Sequence, residues 1–141
     1  MKYAFLPAML FCIVTSGCAI TVDELKSRQS SYDGSVTTET VPSDTYRVLR
    51  NMARQCLEYT AHLGSPVIVL SEFDSERKEG EINQKLLVDG LLINNTLIAI
   101  ESHDGNKSKI SLYTIKSIFS TGIRSPKISD IKRWADGERT C

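Results

Sequence analysis

The residues of this chain best suited to chemistry are its four cysteines and two histidines. A thiol reacts or ligates as its thiolate, which needs an exposed, electropositive setting. Cys56 instead falls on an apolar stripe at helical spacing with Tyr46, Leu49, Met52 and Ala53. His103 adjoins Asp104, and a histidine beside a carboxylate invites an acid–base reading. Neighbouring residues of a strand point to opposite faces, so adjacency alone makes no pair, and His103 reads as a surface hairpin residue. His62 reads as the last-turn residue of a helix, where the dipole favours its cation. The carboxylates from Asp74 to Glu81 alternate with cations and lack the Asp-x-Asp-x-Asp-Gly spacing of a calcium loop, so they read as a solvated hairpin tip. No Gly-x-Ser-x-Gly, His-Glu-x-x-His, phosphate-binding loop or dinucleotide glycine pattern is present. The sequence thus offers no catalytic residue, no metal ligand set and no cofactor site.

Cys18 is different. It follows Val14-Thr15-Ser16-Gly17, where small residues close an apolar run from Ala4 to Val14 that is itself preceded by Lys2. A helix of that length rises roughly 16 Å and cannot cross a hydrocarbon core of about 30 Å, so the run has the build of a signal peptide rather than a lasting span. The segment from Ile13 to Cys18 resembles the lipobox of bacterial lipoproteins, although Thr15 stands where the family usually has Leu. The resemblance implies cleavage before Cys18, a diacylglyceryl group on its thiol and an anchor in a membrane. It also implies a destination, because Ala19 takes the place where an Asp resembles an inner-membrane retention signal. The expected location is therefore the outer membrane, with the domain facing the periplasm. An ordinary secretory signal cut near Gly17 or Ala19 is the alternative.

Under the lipoprotein reading Cys12 leaves with the signal peptide and Cys18 carries lipid. Cys56 and Cys141 then remain as a pair in an oxidising compartment, and a disulfide between them is expected. An intermolecular bridge and two free thiols are the competing outcomes. Loss of residues 1–17 leaves 124 of the 141 residues, enough for one domain with a modest core. The 17 basic and 17 acidic residues balance, which offers no electrostatic footprint for nucleic acid or an anionic bilayer.

The elements follow from pattern. Residues 18–42 are rich in Ser and Thr and read as the lipidated cysteine and a flexible tether, with Ser35 to Val41 β-branched enough for a short edge strand as the alternative. The folded domain is expected over 43–141. Ser43 or Asp44 caps a helix that Gly64 and Pro66 stop. Strand-forming runs follow from Val67 and Ile82, with turn signals at Asp89-Gly90 and Asp104-Gly105-Asn106 and a further break at Asn94-Asn95-Thr96; Leu86 to Ile93 reads either as a tight hairpin or as one bent strand. Ser125-Pro126 opens a short second helix that presents Ile128, Ile131, Trp134 and Ala135 to the core and ends at Gly137. The tail from Trp134 to Cys141 resembles those of small proteobacterial lipoproteins that close on a cysteine, which carries no activity over.

The expected fold is α+β, an antiparallel sheet of three to five strands with an N-terminal and a short C-terminal helix on one face. The function expected from anchor, tether and a small domain is that of a non-enzymatic binding or accessory module serving an envelope partner. The alternatives are a small-ligand or lipid binder, using the concave sheet face or the gap beneath the helices, and an envelope hydrolase acting through His62 or His103.

Overall fold

The computed structural model describes residues 21–61, 64–116 and 122–141. Cys18, His62 and the signal segment lie outside the described residues. The order is α1 (Val22–Ser27), a 3₁₀ turn (Gln29–Ser31), β1 (Tyr32–Thr38), α2 (Pro42–Leu57), β2 (Tyr59–Thr60), β3 (Pro66–Asp74), β4 (Glu79–Val88), β5 (Leu91–His103), β6 (Lys107–Thr114) and α3 (Ile128–Ala135). The six strands form one antiparallel sheet in the order β1-β6-β5-β4-β3-β2. The α+β class matches the sequence reading; the strand number exceeds the expected three to five.

The extra strands have identifiable causes. Residues 22–38, read as tether, fold instead. Thr21 accepts the Glu24 N–H and starts α1, Leu25 is fully buried, and β1 pairs with β6 from Tyr32↔Tyr113 to Thr38↔Ser108. Among the described residues, folded structure is therefore present from Thr21 onward, well ahead of Ser43. At the other edge α2 stops at Leu57, earlier than Gly64, because Tyr59 and Thr60 leave the helix to pair with Val67 and Pro66. The Glu58 carboxylate then accepts the Val69 N–H at 3.1 Å. Helix α2 also starts differently. Val41 is its N-cap without a side-chain hydrogen bond and Pro42 opens the first turn, a place where proline loses nothing.

Alternation along the strands divides the sheet into two faces. Val36, Val69, Ile82, Ile98, Ile100, Ile110 and Leu112 point to the first face, where they meet Leu49, Met52, Ala53 and Cys56 of α2 and Ile131 and Trp134 of α3. Helix α2 carries its apolar residues at spacings of three and four, so one side is buried along its length. The short α3 packs on α2 and β1. Thr45 and Ser108 share a buried hydrogen bond of 3.1 Å, and Ser108 also donates to the Thr40 carbonyl at 2.6 Å, which ties the start of α2 to β6.

One close approach in this core is testable. A Cβ at Gly80 would lie 2.8 Å from Cδ2 of Tyr46 and 3.1 Å from Cδ2 of Phe73. The two rings are themselves packed with centroids 5.1 Å apart, and the Arg50 guanidinium lies 5.7 Å from the Tyr46 centroid, so the tyrosine has little freedom to retreat. Gly80→Ala is expected to destabilise the domain by about 1–3 kcal/mol. Urea unfolding followed by circular dichroism measures this, and an unchanged midpoint would mean that the rings yield.

Candidate functional site

Helix α1 lies across the second face of the sheet. Its Lys26 ammonium bonds the Glu81 carboxylate at 2.5 Å, and Leu25 is buried over strands β5 and β6. Burial works against the Lys26 charge, but the Glu81 hydrogen bond and the nearby Glu81 and Glu101 charges outweigh it and raise the pKa. A single row of paired residues crosses this face from edge to edge, running Leu70, Asn83, Leu97, Tyr113 and Tyr32. It separates two unlike halves. On the far side stand Glu72 opposite Glu81 and Asp74 opposite Glu79, like charges placed directly across from each other, an arrangement that is locally unfavourable. On the near side, toward the β4–β5 turn, the face carries Ile68, Leu87 and Leu92 with Lys85 among them, and β3 to β5 contribute no acid there before the turn residue Asp89.

A buried polar cluster sits where β4 and β5 shift register between Gln84 and Lys85. Gln84, 1% exposed, donates to the Leu57 carbonyl at 3.2 Å and to the Arg124 carbonyl at 2.8 Å. Asn95 donates to Gln84 Oε1 at 2.8 Å and to Ser125 Oγ at 2.9 Å. These bonds fasten the approach to α3 onto the sheet. They explain why Asn94-Asn95-Thr96, expected as a break, lies within a continuous β5: the extra residue forms a bulge whose amide faces inward. Ser125, expected as a helix cap, is used in this cluster, and α3 starts after Lys127, whose N–H bonds Asp130 at 2.8 Å. Burial tends to raise the Asp130 pKa, but the Lys127 N–H and the Arg133 guanidinium more than offset it, and the group titrates below its usual range.

Cys56 and Cys141 form a disulfide with Cα atoms 5.4 Å apart. Cys56 faces inward from α2 as its spacing implied, and the bond brings the end of the chain onto that helix. His103 requires a correction. Its Nε2 lies 3.3 Å from Asp104 Oδ2, because Asp104 takes a φ of +43° and leaves the strand, so alternation no longer separates the two. Both side chains are open to solvent.

Two clefts lie at the end of the sheet opposite the β4–β5 turn. One, of about 340 Å³, is lined by Glu72, Asp74, Arg77 and Glu81; the other, of about 330 Å³, by Val41, Ser43, Phe73 and Lys78. They share Phe73. Among the described residues no three His, Cys, Asp or Glu side chains are grouped to hold a metal ion. Beneath α2 lie Leu49, Met52, Ile98, Ile100, Ile110 and Leu112, each at most 1% exposed.

Two features escaped the sequence reading. Thr21-Val22-Asp23-Glu24 has the spacing of a helix-capping box, a signal that marks α1. The Gln84–Asn95 cluster carries no local signal, since it joins residues distant in sequence. No protein-family model matches the chain, and comparison with curated proteins finds no match.

Proposed function

We propose that this chain is a lipid-anchored module of the bacterial envelope that acts by binding or supporting an envelope partner and not by catalysis. The observation that carries the reading is the disposition of the cysteines. Cys56 and Cys141 are joined, which fits an exported protein in an oxidising compartment. Cys18 is then the unpaired cysteine of the exported chain, and it follows small residues and an apolar run. Folded structure is present from Thr21, three positions further along the chain. No helix of the described residues is long and apolar enough to cross a membrane, so an attached lipid would be the means of retention in this reading. Several acyl chains on one cysteine exceed the two signals needed for stable anchoring.

The test is metabolic labelling with a radioactive fatty acid. Wild-type protein is expected to take up label and to sediment with membranes, whereas Cys18→Ser loses both. Label that persists in Cys18→Ser removes the assignment. In an enterobacterial host Ala19→Asp is expected to shift the protein from outer to inner membrane on a sucrose gradient, and an unchanged distribution would remove the reason for placing it in the outer one.

A further inference from the structure

We infer that the domain rests directly on the bilayer through the apolar half of its second sheet face, with the lipid surface as the occupant of that face; this builds on the lipoprotein reading of Cys18. The first ground is chain length. A tether of two dozen residues would have held the domain well clear of the headgroups, but α1 is capped at Thr21. Only Ala19 and Ile20 stand between Cys18 and Thr21, a span of at most about 11 Å. Helix α1 lies on the second face, with Lys26 neutralising Glu81 just beyond the dividing row, so the anchor draws this face and not the helix-covered first face toward the membrane.

The second ground is where the apolar surface lies. The described residues include four exposed large hydrophobics, Tyr32, Leu70, Leu91 and Leu92. By register Tyr32, Leu70 and Leu92 all point to the second face, and Leu91 is at the turn beside it. Tyr32 and Leu70 end the dividing row at its two edges, and Leu92 lies on the side of that row that bears no strand acid. Glu72, Glu81 and Asp74 lie beyond it on the other side. A bilayer is met most favourably by a tilted domain, with the β4–β5 hairpin down and the acidic half lifted into water. Tyr32 suits the headgroup region, having an apolar ring and a hydroxyl that stays wet. Lys85, set among leucines, can extend its ammonium to phosphate while its stem lies on apolar surface. Exposed apolar area that costs solubility in a free domain becomes a second contact for an anchored one.

The experiment uses the full lipidated protein in vesicles of phosphatidylethanolamine and phosphatidylglycerol, with or without acyl chains brominated near the headgroup. Native Trp134 is 2% exposed and in the core on the first face, so wild type supplies the background signal. Leu92→Trp and Leu70→Trp each add an emitter at an exposed position, and Glu72→Trp adds one on the acidic half. Brominated lipid is expected to quench the added emission of Leu92→Trp at least twofold and that of Leu70→Trp less, while Glu72→Trp is quenched by aqueous iodide instead. Leu92→Trp quenched by iodide and not by bromine would overturn the placement, as would shielding from both, which would put a protein on this face. Fatty-acid labelling of the same preparations separates the two layers of the argument. Labelled protein without bromine quenching refutes the placement alone, whereas absence of label on Cys18 refutes the anchor and the placement with it.

Discussion

Replacing Cys56 and Cys141 together with alanine is expected to lower the stability of the domain by about 2–5 kcal/mol. The bond closes a loop with a sequence separation of 85, and the chain-entropy estimate for a loop of that length is about 4–5 kcal/mol. The lower end allows for structure retained in the unfolded chain. Such a loss is a large share of the roughly 5–15 kcal/mol that stabilises a domain. Its local consequence is specific. Helix α3 spans only Ile128–Ala135, too short to persist by helix propensity. Its C-terminal flank is held by the disulfide and by the Trp134 indole, whose Nε1 donates to the Thr140 carbonyl at 3.0 Å. Urea unfolding of the wild type with and without reductant measures the same quantity without mutation. A shift below about 1 kcal/mol in both experiments would show that the bridge adds little to the folded state. Hydrogen exchange should show the loss first in residues 128–141, with strands β4 to β6 retaining protection.

Trp134→Ala is expected to cost about 3–5 kcal/mol, the range for truncating a large buried aromatic. Trp134 is 2% exposed and lies in the cluster that joins α3 to α2 and the sheet. The substitution leaves a cavity between α3 and α2 and removes the donor to Thr140, the residue just before the bridged Cys141. The two effects share a segment and should not add. In a chain already lacking the disulfide, the loss on Trp134→Ala is expected to be smaller by at least about 0.5 kcal/mol, because the tail it secures is already loose. Trp134→Phe, which retains most of the volume without the indole donor, should cost about 1–2 kcal/mol. A double-mutant cycle in urea tests this, and full additivity would mean that indole and bridge hold independent parts of the molecule.

The elements that sequence reading placed correctly are those governed by local periodicity and turn chemistry. The buried stripe of α2, the hairpin closed by Asp104-Gly105-Asn106, and the inward set Ile128, Ile131 and Trp134 appear as expected, and of the two readings of Leu86 to Ile93 the hairpin at Asp89-Gly90 is the one found. Gly90 and Gly105 take φ of +81° and +79°, conformations open to glycine at little cost. The errors fell where a segment's partner lies far along the chain. Residues 32–38 are polar on one side and rich in Thr, so alone they are hard to tell from a linker; pairing with β6, some 75 positions later, makes them a strand. Tyr59 and Thr60 fit the helical pattern but are drawn off by Pro66 and Val67.

By itself the sequence determined the α+β class, the inward face of each main helix and the principal turns. These depend on spacing within a few residues, where side-chain direction follows from backbone geometry. Only the tertiary structure decided that residues 22–38 are folded, that the described residues form a six-stranded sheet, that Gln84 and Asn95 fasten the approach to α3, and that apolar and acidic surface occupy separate halves of one face. Each of these depends on register between distant strands. Register is set by the whole hydrophobic pattern at once, and a slip of one residue would turn every side chain of a strand to the opposite face.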